Sequence, residues 1–210
     1  MRTECKIVYK YDELTDKAKE KARTWWRQGG LDYEWWDSSF EDFTTIGNIL
    51  GIDFKNIANN GVRPAIYFSG FWSQGDGASF AGSWTFDPDA ITKLNEYAPL
   101  DTELHRIALV LKAIAVSYAD NNAWEEDEDE CPLSASITQG GHSVHRFTMQ
   151  CESDDPTGDS DEQLLDTFRD FAYWMYKNLE SQFNYLNSDE SVVESIECNE
   201  YEFNEDGSRA

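Results

Sequence analysis

Between Leu164 and Leu186 the residues Leu164, Leu165, Phe168, Phe171, Ala172, Met175, Leu179, Phe183 and Leu186 recur three and four apart, the period of one face of an α-helix. A stripe of that length needs a broad apolar layer to pack against, so it reads as core rather than as the lining of a cofactor site. The material for such a layer is present. Phe, Trp and Tyr make up 14% of the 210 residues, with eight Trp among them, and rings of that size can build the core of one domain.

The rest of the chain divides into short elements. Lys6 to Tyr11 alternates as a first strand, and Thr15 then offers an N-cap to a helix with Leu14, Ala18, Ala22 and Trp25 on its apolar side. Gly29-Gly30 ends it, and Lys17, Lys19, Lys21, Arg23 and Arg27 make it the basic segment, read as a solvated face. A second helix from Asp32 to Leu50 turns Trp35, Trp36, Phe40, Phe43 and Ile46 inward and stops at Gly51. Ile52 to Ile57, Ala65 to Phe71 and Ala78 to Phe86 read as meander strands. Pro88 opens a short helix to Tyr97, and Leu100 to Ala119 is apolar nearly all round, which predicts a buried central helix. Leu133 to Gln139 and Ser143 to Gln150 flank Gly140-Gly141, the pair a two-residue hairpin turn wants. Val192 to Phe203 reads as a last strand and residues 205–210 as a frayed tail. The expectation is one α+β domain over residues 1–204, a largely antiparallel sheet of six or seven strands with about five helices packed on it.

Charge gives the sharper functional clue. The chain carries −24, and its distribution is uneven: residues 1–120 hold 18 acids and 13 bases, whereas residues 121–210 hold 23 acids and 4 bases. Such a field repels phosphate and attracts basic proteins, so direct nucleic-acid binding is disfavoured. Three segments concentrate the acids. Glu125, Glu126, Asp127, Glu128, Asp129 and Glu130 form an unbroken run; Asp154, Asp155, Asp159, Asp161 and Glu162 sit in a second loop; Glu197, Glu200 and Glu202 belong to a third stretch that begins at Glu194. These are the candidate partner-binding residues, because closely spaced carboxylates can approach the charge density of duplex DNA, roughly one negative charge per 1.7 Å of axis. Solvated loops are the competing reading for each.

No motif names a reaction. In SQGDG the glycines and Asp76 have the chemistry of a tight turn, without the alternating acids of a calcium loop or the lysine of a phosphate loop. His142 and His145, near Cys131 and Cys151, could be drawn as a zinc site, but residues three apart on a strand face opposite ways. Cys5, Cys131, Cys151 and Cys198 form no CxxC pair and read as free thiols. The sequence therefore predicts no catalytic residue, no metal and no cofactor. No stretch approaches the roughly 18 apolar residues of a membrane span, and the expected location is the cytoplasm of a bacterial host.

ELTDKAKEKARTWW, YEWWDSSFEDFTTIGNILGIDF and IYFSGFWSQGDGASFAG resemble a group of poorly characterised proteins of bacteriophages, prophages and plasmids, some labelled antitoxin-like. The resemblance covers roughly the first 120 residues and implies a mobile-element origin; it carries no functional residue. Together with the acidity it leads to an expected function: a phage or mobile-element anti-defence protein that inhibits a basic nucleic-acid-binding host complex, such as a CRISPR effector or restriction system, by imitating nucleic-acid charge. The alternatives are an antitoxin-like protein neutralising a basic toxin, and an unrecognised hydrolase using Asp76 or His142.

Overall fold

Leu164, Phe168, Phe171, Ala172, Met175 and Leu179 of the predicted stripe are buried in the computed structural model, which describes residues 6–58, 62–121, 133–141 and 143–210. In chain order the helices are α1 (Asp16–Gly29), α2 (Asp37–Ile49), α3 (Ala90–Tyr97), α4 (Thr102–Asn121), α5 (Asp161–Leu186) and α6 (Asp189–Cys198). The strands are β1 (Ile52–Phe54), β2 (Asn56–Ala58), β3 (Val62–Pro64), β4 (Ile66–Phe68), β5 (Ala78–Phe80), β6 (Gly82–Thr85), β7 (Ser134–Gln139) and β8 (Met149–Ser153). The fold is α+β, and every strand pair among the described residues is antiparallel. Contacts group the chain into a sheet unit, Asp37–Leu179, and a terminal unit made of the residues up to Trp36 with Glu180–Ala210.

In the sheet unit the strand order is β1-β6-β7-β8, with β2–β3 and β4–β5 as separate two-stranded ladders. The strands are shorter and less merged than the expected sheet of six or seven. The cause is a backbone junction: Lys55 N donates to Ala81 O at 2.9 Å, Ala65 N to Lys55 O at 2.7 Å and Ala81 N to Ala65 O at 2.9 Å. At those three residues the chain changes partner, so the predicted strands Ile52–Ile57 and Ala78–Phe86 each break into two, and the predicted strand Ala65–Phe71 keeps only Ile66–Phe68, separated at Ala65 from β3. Phe80 sits at the centre of the layer, edge-on to Phe54, Phe168 and Phe171, and Trp84 closes the core while its Nε1 donates to Leu50 O at 2.9 Å.

Three other expectations for this unit are corrected. Helix α4 is amphipathic rather than buried all round: Leu104, Ile107, Leu111 and Ile114 face the core, but Leu109 is 56% and Val116 45% exposed. Helix α2 starts only at Asp37, after Trp35 and Trp36, and α3 at Ala90, with Pro88 in the turn before it. The β7–β8 hairpin exists, but its connection runs from Gly140 to Thr148 and includes a 3-10 turn, Arg146–Thr148. Hydrogen bonds stabilise that longer loop: Gly140 N donates to Thr148 O at 2.8 Å and Thr148 Oγ1 to Ser143 O at 2.9 Å.

The terminal unit is built on α1, whose N-cap is the predicted Thr15, with Oγ1 accepting from Ala18 N at 3.4 Å. Its core joins Tyr11, Leu14, Ala18, Ala22 and Trp26 to Val192, Ile196 and Phe203. Here the predicted last strand is helix α6. Ser188 caps it, accepting from Ser191 N at 3.2 Å, two acids follow at its dipole-favoured end, and Val192 and Ile196 are four apart on its buried face. Of the two predicted terminal strands, Phe203 and Tyr9 form one antiparallel bridge among the described residues, and Tyr11–Glu13 is a 3-10 turn. The expected frayed tail is ordered: Phe203 also bridges Arg209, Ala210 N donates to Glu202 O at 3.0 Å, and buried Gly207, at φ +80°, leaves no room for a Cβ against Ala18 O. Nor is the basic face of α1 free. Lys21 pairs with Asp206 at 2.6 Å, and Arg23 and Arg27 both reach Asp189. Among the described residues no helix is long and apolar enough to cross a membrane.

Candidate functional site

The acidic segments divide into carboxylates that organise the chain and carboxylates that are presented to solvent. Glu125, Glu126, Asp127, Glu128, Asp129 and Glu130 lie outside the described residues, as do Cys5, Cys131 and His142. In the β8–α5 turn Asp155 is only 8% exposed, and its carboxylate accepts from Thr157 N, Thr157 Oγ1, Ser160 N and Ser160 Oγ at 2.7–3.1 Å. Asp161 accepts from both the N–H and the hydroxyl of Ser153. Both are turn keystones, so the structure removes Asp155 from the candidate binding set and leaves Asp161 only half-exposed. Asp154, which accepts from Ser134 Oγ, is exposed, as are Asp159 and Glu162.

Asp155 has a consequence for stability. Burial pushes its carboxyl up, but the hydrogen bonds from Thr157 and Ser160 outweigh that and leave it below its ordinary value. A depressed folded-state pKa contributes stability above the unfolded value, about 3.9, and that contribution fades as pH falls through the folded one. Asp155→Ala is expected to cost about 1–3 kcal/mol in urea unfolding at neutral pH, with a smaller difference from the parent chain in strong acid.

On α6 the exposed acids Glu190, Glu194 and Glu197 fall four and three apart, on one face. Among the described residues no ion pair engages Glu194, Glu197 or Glu200, nor Asp159 or Glu162, whereas Glu202 lies 4.0 Å from Lys10 Nζ. Glu200 occupies an unusual place. Its N–H donates to Glu197 O and that of Tyr201 to Ile196 O, the bond pattern that closes a helix on a left-handed residue, usually glycine; Glu200 adopts φ +52° there. Glu200→Gly is expected to raise stability by about 0.5–1 kcal/mol in thermal unfolding, because it relieves the backbone at an exposed position.

Among the described residues, Asp76 and His145 make local contacts within turns. Asp76 Oδ2 accepts from Ser73 N at 2.7 Å, Asp76 N donates to Ser73 O, and Ser69 Oγ accepts from Gly77 N, so SQGDG is a turn joining β4 to β5. His145 lays its ring on Gly77, where an added Cβ would come within 2.6 Å of it, and its Nδ1 accepts from Phe147 N at 3.2 Å. Burial, with Asp161 nearby, pushes the Cys151 thiol up to about 12, far from the thiolate a nucleophile requires. Cys151 and Cys198 are free. Among the described residues no three His, Cys, Asp or Glu are grouped to hold a metal ion.

What sequence reasoning missed is where the bases go. All four bases of the acidic last ninety residues lie over aromatic rings. Arg146 is 5.0 Å from the Phe147 centroid and 4.6 Å from that of Tyr173; Arg169 is 5.5 Å from Phe147, Lys177 5.9 Å from Tyr173, and Arg209 4.8 Å from Tyr201. In the sheet unit Asp170 ties this network to Arg106 at 2.6 Å, and Glu103 and Asp170 raise the Arg106 pKa by hydrogen bonding. Phe147 is nonetheless 63% exposed. The SQGDG turn presents another ring: Trp72 is 70% exposed at φ +75°, beside Phe71, which stacks on Phe68 and packs on Tyr176. A bulky residue in left-handed backbone conformation carries a cost of about 1–3 kcal/mol that the surrounding turn has to sustain. Its sequence signal was the aromatic run FSGFW ahead of the turn.

Residues 35–189 match a domain family of unknown function, DUF8835. The chain belongs to that family. The DUF8835 match takes in the SQGDG turn, the β8–α5 acidic turn and the stacked Arg146, Arg169 and Lys177, and leaves out α1, nearly all of α6 and Arg209 with its rings. No curated protein and no solved structure matches the chain.

Proposed function

We propose that the protein works by binding rather than by catalysis, docking exposed carboxylates on a basic, nucleic-acid-handling protein in place of nucleic acid. The observation behind this reading is that Asp159, Glu162, Glu194, Glu197 and Glu200 are exposed and, among the described residues, engaged by no ion pair, while the four bases of the same ninety residues lie over aromatic rings and Arg169 and Arg146 pair with Asp166 and Asp170 instead. An acidic field left uncompensated steers basic partners at high rates and repels nucleic acid. Exposed Trp72, Phe147 and Tyr173 with Arg146 are the residue types that supply most of the energy at protein interfaces, so in this reading the acids guide the encounter and the aromatic face anchors it. With the mobile-element resemblance, the target is a host defence complex such as a CRISPR effector or restriction system, met in the bacterial cytoplasm.

The test is the salt dependence of the affinity for the partner. It should fall steeply between about 50 and 200 mM salt, as it does for nucleic acid itself. An affinity that holds constant over that range would put the acidity down to solubility.

A further inference from the structure

We propose that the aromatic corner made by Trp25 and Tyr201 in the terminal unit is a site for an arginine side chain of the partner polypeptide, and that Arg209 is the chain's own occupant of it. The inference rests on the reading that the partner is a basic protein. Trp25 and Tyr201 meet edge to face, centroids 5.2 Å apart. The Arg209 guanidinium lies over both rings, 4.8 Å from Tyr201 and 5.8 Å from Trp25, and donates through Nη1 to Glu202 O. The corner therefore already holds a guanidinium, and a planar, weakly hydrated guanidinium stacks on ring faces better than an ammonium does.

Two further features fit an incoming side chain. The same two rings line an open groove of about 340 Å³, walled on its other sides by Trp26, Gln28 and the Gly29-Gly30 helix end. Exposed Glu200 and Glu202 flank Tyr201 in the chain, and two carboxylates that near in sequence favour a cation over an anion around it, even with Lys10 Nζ 4.0 Å from Glu202. Glu200 keeps a carboxylate there in the left-handed conformation that glycine adopts freely. Arg209, itself exposed, competes with the partner's arginine for the rings, as a tethered ligand does at high effective concentration.

The test is calorimetric titration of the full chain with hexa-arginine and with hexalysine at one low ionic strength. Hexa-arginine should bind at least fivefold more tightly. Tyr201→Leu should abolish that preference while leaving hexalysine within twofold, and Arg209→Ala, a change at an exposed position that leaves the core untouched, should widen it by roughly two- to fivefold, the equivalent of a stacking energy of about 0.5–1 kcal/mol. If both peptides bind equally and neither variant changes their ratio, the arginine site is overturned while the acidic-docking reading stands. If neither peptide binds, both are overturned.

Discussion

Phe80→Ala lowers the unfolding free energy of the protein by about 3–5 kcal/mol. Phe80 is fully buried and meets Phe54 at 5.4 Å, Phe171 at 5.8 Å and Phe168 at 6.2 Å, all edge to face. Removing the ring forfeits its own burial, leaves a cavity between two strands and the long helix, and deletes three ring–ring contacts at once. Rings in a layer this interlocked cannot collapse into the gap, because each is held by a further aromatic neighbour, Phe168 by Trp84 and Phe171 by Trp174. Phe80→Leu, which keeps most of the volume, should cost less than half as much. Urea unfolding of the two variants checks this; a loss below about 1 kcal/mol for Phe80→Ala would mean that α5 does not depend on the sheet for its burial.

The second large effect is on binding. Reversing Asp159, Glu162, Glu194 and Glu197 together to Lys should weaken partner affinity about a thousandfold at low salt, from roughly 1 kcal/mol for each exposed charge. The loss should shrink as salt is added. All four side chains are exposed and none is in an ion pair among the described residues; Glu162 sits in the first turn of α5, where the helix dipole favours an acid, so unfolding should show the variant within about 1 kcal/mol of its parent. Asp159 and Glu162 belong to the sheet unit and Glu194 and Glu197 to the terminal unit, so making each pair separately tells which unit carries the interface. Unchanged affinity in both pair variants would leave the acidic surface without a binding role.

The sequence made some of this legible and concealed the rest for definable reasons. Thr15 announces α1 and the stripe from Leu164 announces α5, because capping and periodicity are local signals that tertiary contacts seldom overrule. Val192–Phe203 misled because Val and Ile favour strands by propensity, while the Ser188 cap and the four-residue spacing of Val192 and Ile196 point to a helix; spacing prevailed over propensity. The strand breaks at Lys55, Ala65 and Ala81 depend on backbone bonds between residues distant in sequence, which no window along the chain can reveal. The same holds for the site. Acidity is a count, readable at once, but the difference between Asp155, consumed by four hydrogen bonds, and Asp159, left in solvent, depends on where Thr157 and Ser160 turn. The placing of Arg146 over Tyr173, Arg169 over Phe147 and Arg209 over Trp25 and Tyr201 is likewise a product of the fold, whereas Lys177 and Tyr173 are one turn apart on α5.

The claim that the protein stands in for nucleic acid is tested most directly by competition. The chain is immobilised, loaded from nuclease-treated bacterial lysate, and the bound basic protein is challenged with duplex DNA at constant ionic strength. The account predicts release of that protein by the DNA in proportion to its own affinity for DNA, and no retention on the charge-reversed variant. A protein that stays bound through excess DNA, or binds the charge-reversed chain equally well, would contradict it.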